Sequence, residues 1–406
     1  MNTSTDPPPA VAKLFSRRVV ITVLGSLQIL SWGSTFYLPA VLARPIAQDT
    51  GWPYAVVVAG LSVGLLVAGA VSPRTGRAIA QHGGRPVLAT GSVLLALGLL
   101  IIGTAQNYIW YFAGWAALGA GMGAGLYDAA FASLGALYGK AARGAITSVT
   151  LFGGFASTVC WPVSAYLVQH FGWRSTCLVY AGLHLVVALP LYIAILPRRS
   201  EPKTGAAVPS NLARAALHRE ERFIFGMLLA VLTVSAAILS MMGAQLITLL
   251  QARGLDIKTA VTLGMLIGPS AVGARFIEML AGHRYHPIWT MIASVALVFV
   301  GACLFLVGSL GFAPAIILYA AGNGIGSIAK GTLPLALFGP VRYPALMGRL
   351  ALPIMIAMAL SPYVGAVAFQ HGGATWTFAL LLGLAFANVT LVAILWALSR
   401  RPLHPL

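Results

Sequence analysis

GAGMGAGLYDAAFASLGALYG, Gly119 to Gly139, combines a ladder of alternating glycines with a single carboxylate, Asp128, in an otherwise apolar stretch. Its length and composition read as one helix. About 200 residues later AGNGIGSIAKGTLPLALFG, Ala321 to Gly339, repeats the ladder and carries Lys330 where the first copy has an acid. A chain that builds this helix twice, with opposite charges, is organised as two related halves.

The surrounding sequence fixes the solvent. Of 406 residues 59% are hydrophobic and 8% charged, with a mean hydropathy of +0.89. A soluble domain carries about 25% charged residues. The apolar residues come in blocks long enough to cross a hydrocarbon core of ~30 Å. They predict an all-α integral membrane protein with twelve transmembrane helices, near 19–43, 53–73, 86–105, 108–138, 145–169 and 174–196, then 222–250, 258–281, 287–309, 312–338, 343–369 and 375–398. Backbone groups in lipid must be satisfied within the segment, which selects helices.

The net charge of +17 does not point to nucleic acid, because of where the charges fall. Arg44, Arg174, Arg253 and Lys258 lie on one side of the predicted membrane, and Arg275, Lys330 and Arg349 lie within it. The remaining Lys and Arg fall on the other side. That bias predicts both termini in the cytoplasm, with tails at 1–18 and 399–406 and a cytoplasmic central loop at 197–221. The bundles are then 19–196 and 222–398. Cys160, Cys177 and Cys303 lack metal-ligand spacing and imply no disulfide.

Sliding the second half back by the 201 residues that separate Arg74 from Arg275 aligns further features. Pro86 falls on Pro287, Gly121, Gly123 and Gly125 on Gly322, Gly324 and Gly326, and Gln169–His170 on Gln370–His371. Matches at one offset over several helices indicate duplication. Transporters are built from such repeats, with the substrate path between them.

With two bundles and a basic, glycine-containing loop between the second and third spans, residues 19 to 398 resemble the major facilitator superfamily. In that loop, Gly76 to Pro86, Gly76, Gly83 and Arg85 match the family signature. Ala80 and Gln81 replace its acid-basic pair, and with them the acid that helps lock the inward side. The resemblance implies a secondary transporter working by alternating access, in which the first, fourth, seventh and tenth helices line the cavity. It places Gln28, Trp32, Tyr127, Gln245 and Asn323 towards substrate.

No Walker glycine loop, exposed Ser–His–acid set or metal-spaced cluster is present. The expected protein is therefore not an enzyme, has no cofactor and uses no ATP. Five ionisable residues interrupt apolar spans: Asp128, Arg275, Glu278, Lys330 and Arg349. At about 2.5–3.5 kcal/mol each at mid-membrane, they must pair, face a wet cavity or lie shallow. Arg275 and Glu278, three residues apart, share a helix face and predict a local salt bridge or an inner gate. Asp128 lies at nearly the depth of Lys330, with Arg349 an equally good partner. Asp128, Arg275 and Glu278 are the candidates for proton coupling or gating; Lys330 and Arg349 are candidates for substrate.

Embedded cations outnumber embedded acids by one, which favours a small organic anion moved with a proton in the bacterial cytoplasmic (inner) membrane. A proton-coupled exporter of drugs or hydrophobic metabolites, and a transporter-like ligand sensor, are the alternatives. The expected partners are a small-molecule substrate, a coupling proton and the lipid bilayer.

Overall fold

The computed structural model describes residues 15–197, 219–308 and 311–399. Most of the central loop at 197–221 and of both tails lies outside these residues. Every element among the described residues is helical. In the first half these are α1 (Arg17–Gly33), α2 (Pro39–Thr50), α3 (Tyr54–His82), α4 (Gly84–Thr104), α5 (Tyr108–Gly125), α6 (Tyr127–Tyr138), α7 (Ala142–Gly153), α8 (Ala156–Leu183) and α9 (Leu189–Ile195). In the second they are α10 (Arg219–Ala252), α11 (Ile257–Gly264), α12 (Ile267–Ala281), α13 (Pro287–Val307) and α14 (Phe312–Ser399).

Each half ends in a helical run of 88 residues, Tyr108–Ile195 and Phe312–Ser399. A straight helix of that length would span about 130 Å, far more than a bilayer's ~30 Å core. Both runs instead turn at glycines whose positive φ other residues avoid: Gly139 and Gly172 in the first, Gly339 and Gly373 in the second. These turns fall at nearly equivalent positions of the sequence repeat. The apolar, all-helical architecture expected from composition is thus present, and the protein is an integral membrane protein.

Three expectations about local structure need correction. The signature loop is mostly helix, because α3 continues to His82 and turns only at Gly83 (φ 82°). The first span breaks between Gly33 and Pro39 and resumes as α2 to Thr50. The predicted continuous helix over 108–138 is interrupted at Leu126, whose extended backbone (φ −82°, ψ −169°) separates α5 from α6.

The glycine ladders pack helix on helix, as small residues do in membranes. A methyl at Gly121 or Gly123 would meet the backbone of Leu95 or Ala68; one at Gly322 or Gly324 would meet that of Ser294 or Ala271. Between the halves, contacts gather at the end carrying Gly83 and Gly139. Gly76 and Gly348 bring α3 and α14 together backbone to backbone, with Pro344 alongside. Tyr343 packs on Gly135 and donates to Gly331 O at 2.7 Å. Beyond this closed end α1 packs chiefly on α7 and α8 of its own half, and α10 on α14 of its own.

Candidate functional site

The break at Leu126 positions the first charge. It frees the carbonyl of Gly125, which accepts from Gln28 Nε2 of α1 at 2.8 Å. It also makes Tyr127 the first residue of α6, so that Asp128 lies in a first helical turn. A carboxylate is favoured there by the helix dipole. Asp128 is 9% exposed, and Lys330 Nζ of α14 lies 2.7 Å from its Oδ1, close in distance but off the angle of a hydrogen bond. The two charges that break the symmetry of the repeat therefore neutralise each other across the halves. Arg349, the competing candidate, is exposed.

Arg275 has a different environment. From α12 its Nε donates to Gly324 O at 3.2 Å and to Ser327 Oγ at 3.1 Å. A terminal nitrogen lies in the notch left by Gly154 of the opposite half, where any side chain would collide with it. Gly153 leaves the adjoining notch, filled by the Tyr127 hydroxyl, which donates to Thr150 O at 3.3 Å. The adjoining notches at Gly153 and Gly154 thus bring the Tyr127 hydroxyl and the Arg275 guanidinium side by side. Among the described residues no carboxylate lies within 4.0 Å of the guanidinium.

The predicted pairing of Arg275 with Glu278 is not formed. Glu278 is buried and accepts from Tyr285 Oη at 2.5 Å and Thr290 Oγ1 at 2.7 Å. Beside it Arg143, at the start of α7, reaches across the halves to donate to Tyr285 O at 2.5 Å and to Gly282 O. Burial and the hydrogen bond to Glu278 push the Tyr285 hydroxyl up to about 12. This polar lock lies at the closed end, one helical turn from Arg275.

Aromatic side chains of the first half form a wall beside Arg275. Ring centroids run from Trp161 to Tyr37 (6.0 Å), to Trp32 (6.2 Å), to Tyr127 (4.9 Å) and on to Phe131, stacked at 5.0 Å. Trp161 is 43% exposed and Phe131 fully buried, so the wall leads from the surface inward. The indole N–H of Trp32 is buried without a hydrogen-bond partner. Trp32 and Phe36 face Met355 and Met358 across a cavity of about 10 Å³ that also touches Asp128. That is room for about one water.

Of the other candidates, Gln245 donates to Pro362 O at 2.8 Å, and Asn323 to Tyr319 O of its own helix at 3.0 Å. Gln245 Oε1 is buried and unpaired. Gly76 belongs to the contact between halves, Gly83 forms the turn after α3, and Arg85 lies half-buried in the first turn of α4. Sequence reasoning missed Met355 and Met358, whose i, i+3 spacing is a usable signal, and Arg143, which reads only as one more basic residue near a helix end.

Comparison with known proteins places this geometry. No curated protein matches the sequence significantly. Among solved structures the human organic anion transporter MFSD10 (TETRAN) superimposes with a TM-score of 0.75 at 17% identity, covering 95% of this chain and 100% of that one. FucP in the outward conformation gives 0.71 at 16%, covering 92% and 98%. A variant of FucP, the E. coli fucose:proton symporter, gives 0.65 at 16%, covering 93% and 98%. At these identities the likeness is one of fold. The sequence profile of the Major Facilitator Superfamily matches residues 24–333, and the chain belongs to that family of transporters, which are not enzymes.

Proposed function

We propose that this transporter moves a small organic anion by alternating access, with a proton as the coupling ion. Twelve crossings, six in each half, carry the substrate path between the halves. The observation that supports an anion is the unequal treatment of two embedded cations. Lys330 is neutralised by Asp128 at 2.7 Å, whereas Arg275 is held by a carbonyl and a hydroxyl. A guanidinium offers a planar fork suited to a carboxylate, and an uncompensated charge in a low-dielectric cleft gains most from meeting an anion there.

The Asp128–Lys330 contact joins the halves, so separating them at this level must break it. Leaving both charges unpaired in the membrane is costly. Protonation of Asp128 removes one of them, which links proton uptake to the conformational change. The cavity against Asp128 gives water a place to deliver that proton. The sided distribution of Lys and Arg supports cytoplasmic termini and a bacterial inner membrane, so the closed end faces the cytoplasm. That MFSD10 is described as an organic anion transporter and FucP as a proton symporter agrees with this reading.

The test is uptake into proteoliposomes of labelled monocarboxylates with and without an inward proton gradient. Gradient-stimulated uptake that Asp128→Asn abolishes is the expected result. Uptake of cationic drugs alone, unaffected by that substitution, would overturn the proposal.

A further inference from the structure

We infer that the substrate is an aryl monocarboxylate: one carboxylate held by Arg275, and a flat apolar ring placed against Trp32. This rests on the anion reading above and narrows it on three independent observations.

The first is charge. With Lys330 and Asp128 paired, and Glu278 bound to Tyr285 and Thr290, Arg275 is the cation without a carboxylate at the Gly153–Gly154 notch, beside Tyr127 of the aromatic wall. A monoanion neutralises it. A dicarboxylate would bring a second charge with no cation to meet it, at the desolvation cost that burying a lone ion carries.

The second is the direction of the hydrogen bonds. Beside the guanidinium the Tyr127 hydroxyl is already committed to Thr150 O, and the polar group of the aromatic wall still without a partner is a donor, the buried Trp32 indole N–H. A carboxylate supplies acceptors only, which matches this set.

The third is the shape of the apolar surface. Trp32 and Tyr127 sit 4.9 Å apart at 51° to one another, an open aromatic corner rather than a closed stack. Met355 and Met358 share with Trp32 the lining of the adjoining cavity; they are flexible and polarizable side chains that favour contact with aromatic rings. An aromatic corner beside two thioethers fits a planar ring better than a short aliphatic chain. The present cavity admits about one water, so the ring enters as the aromatic wall and the methionines part. Arg275, Trp32 and Tyr127 come from both halves, so such a ligand bridges them.

The experiment is equilibrium binding of labelled benzoate to the full-length protein in nanodiscs, with competition by acetate, succinate and benzamide. Benzoate should bind at least about tenfold more tightly than each of the others. Trp32→Leu should weaken benzoate binding more than acetate binding, reducing the preference of benzoate over acetate several-fold. Trp32→Phe should retain the preference, which guards against loss through misfolding. Arg275→Gln should remove binding of both acids. Equal binding of benzamide would overturn the anion reading itself. Stronger binding of succinate or acetate would leave an anion site and overturn the aryl monocarboxylate. Absence of benzoate binding to wild-type protein of unchanged thermal stability would overturn it too.

Discussion

The two copies of the glycine-ladder helix use the same packing and different electrostatics. Gly121 and Gly123 in one, Gly322 and Gly324 in the other, admit the backbone of a neighbouring helix within their own half. The first copy then breaks at Leu126, and Asp128 begins a new helix; the second runs helically through Lys330 to Gly339. The same packing contact occurs twice, and the two copies differ just past it, where Asp128 and Lys330 meet. Small residues determine how closely the helices approach, whereas function follows from the charges beyond them.

The largest effect should come from unpairing those charges. Asp128→Asn leaves the partly buried Lys330 ammonium without its counter-ion, a loss of up to about 3 kcal/mol. It should appear as a lowered Tm and loss of gradient-driven uptake. Combining it with Lys330→Met should restore most of the stability, because the lone charge is gone, and none of the proton coupling. Exchanging the two charges sharpens the comparison. Lys at 128 would sit in the first turn of α6, against the helix dipole, so the exchanged protein should remain less stable than wild type despite an intact pair.

The next effect concerns the notches. Gly154→Ala places a methyl on the Arg275 guanidinium, and should reduce anion affinity by about tenfold or more with little change in Tm. Gly76→Ala, on α3 against Pro344 and Gly348 of α14, should instead hinder closure of that end. Cysteine cross-linking or accessibility across 76 and 348 would read the shift. A smaller effect is expected for Gln28→Leu, which strands the Gly125 carbonyl at a cost of about 1–3 kcal/mol; Tm should fall without a change in coupling.

The two halves also differ in how legible they were. The repeat pointed to Asp128 opposite Lys330 because equal positions in a duplicated bundle lie at equal depth. It could not reveal the break at Leu126, since the glycines before it recur as Gly324 and Gly326 in a copy that stays helical, and the stabilising partner, Gln28, is nearly 100 residues away. Arg275 and Glu278 misled for a related reason. Residues three apart on a helix are about 60° apart around the axis, and here different neighbours hold them: Ser327 and Gly324 take the arginine, Tyr285 and Thr290 the acid. Gly76, Gly83 and Arg85 were recognisable as a signature, yet the continuation of α3 to His82 depends on packing against α14.

The smallest effect should arise at the polar lock. Burial and the nearby Arg143 charge lower the affinity of His286 for a proton, while its Nδ1 accepts from Ile288 N at 3.2 Å and caps α13. A folded-state value below the ordinary ~6.5 means that the unfolded chain binds more protons. Stability should therefore decline as pH falls through about 6.5 and below. His286→Asn, which keeps a capping acceptor without titrating, should flatten that slope in a thermal melt series.

The central claim is that Arg275 meets the anion while Lys330 serves its ion pair. Isothermal titration of benzoate into the Arg275→Gln variant and into the Asp128→Asn/Lys330→Met double variant separates the two roles directly. The account predicts no measurable binding to the first and affinity within a few-fold of wild type for the second. Retained binding without Arg275, with loss on removing the Asp128–Lys330 pair, would contradict it.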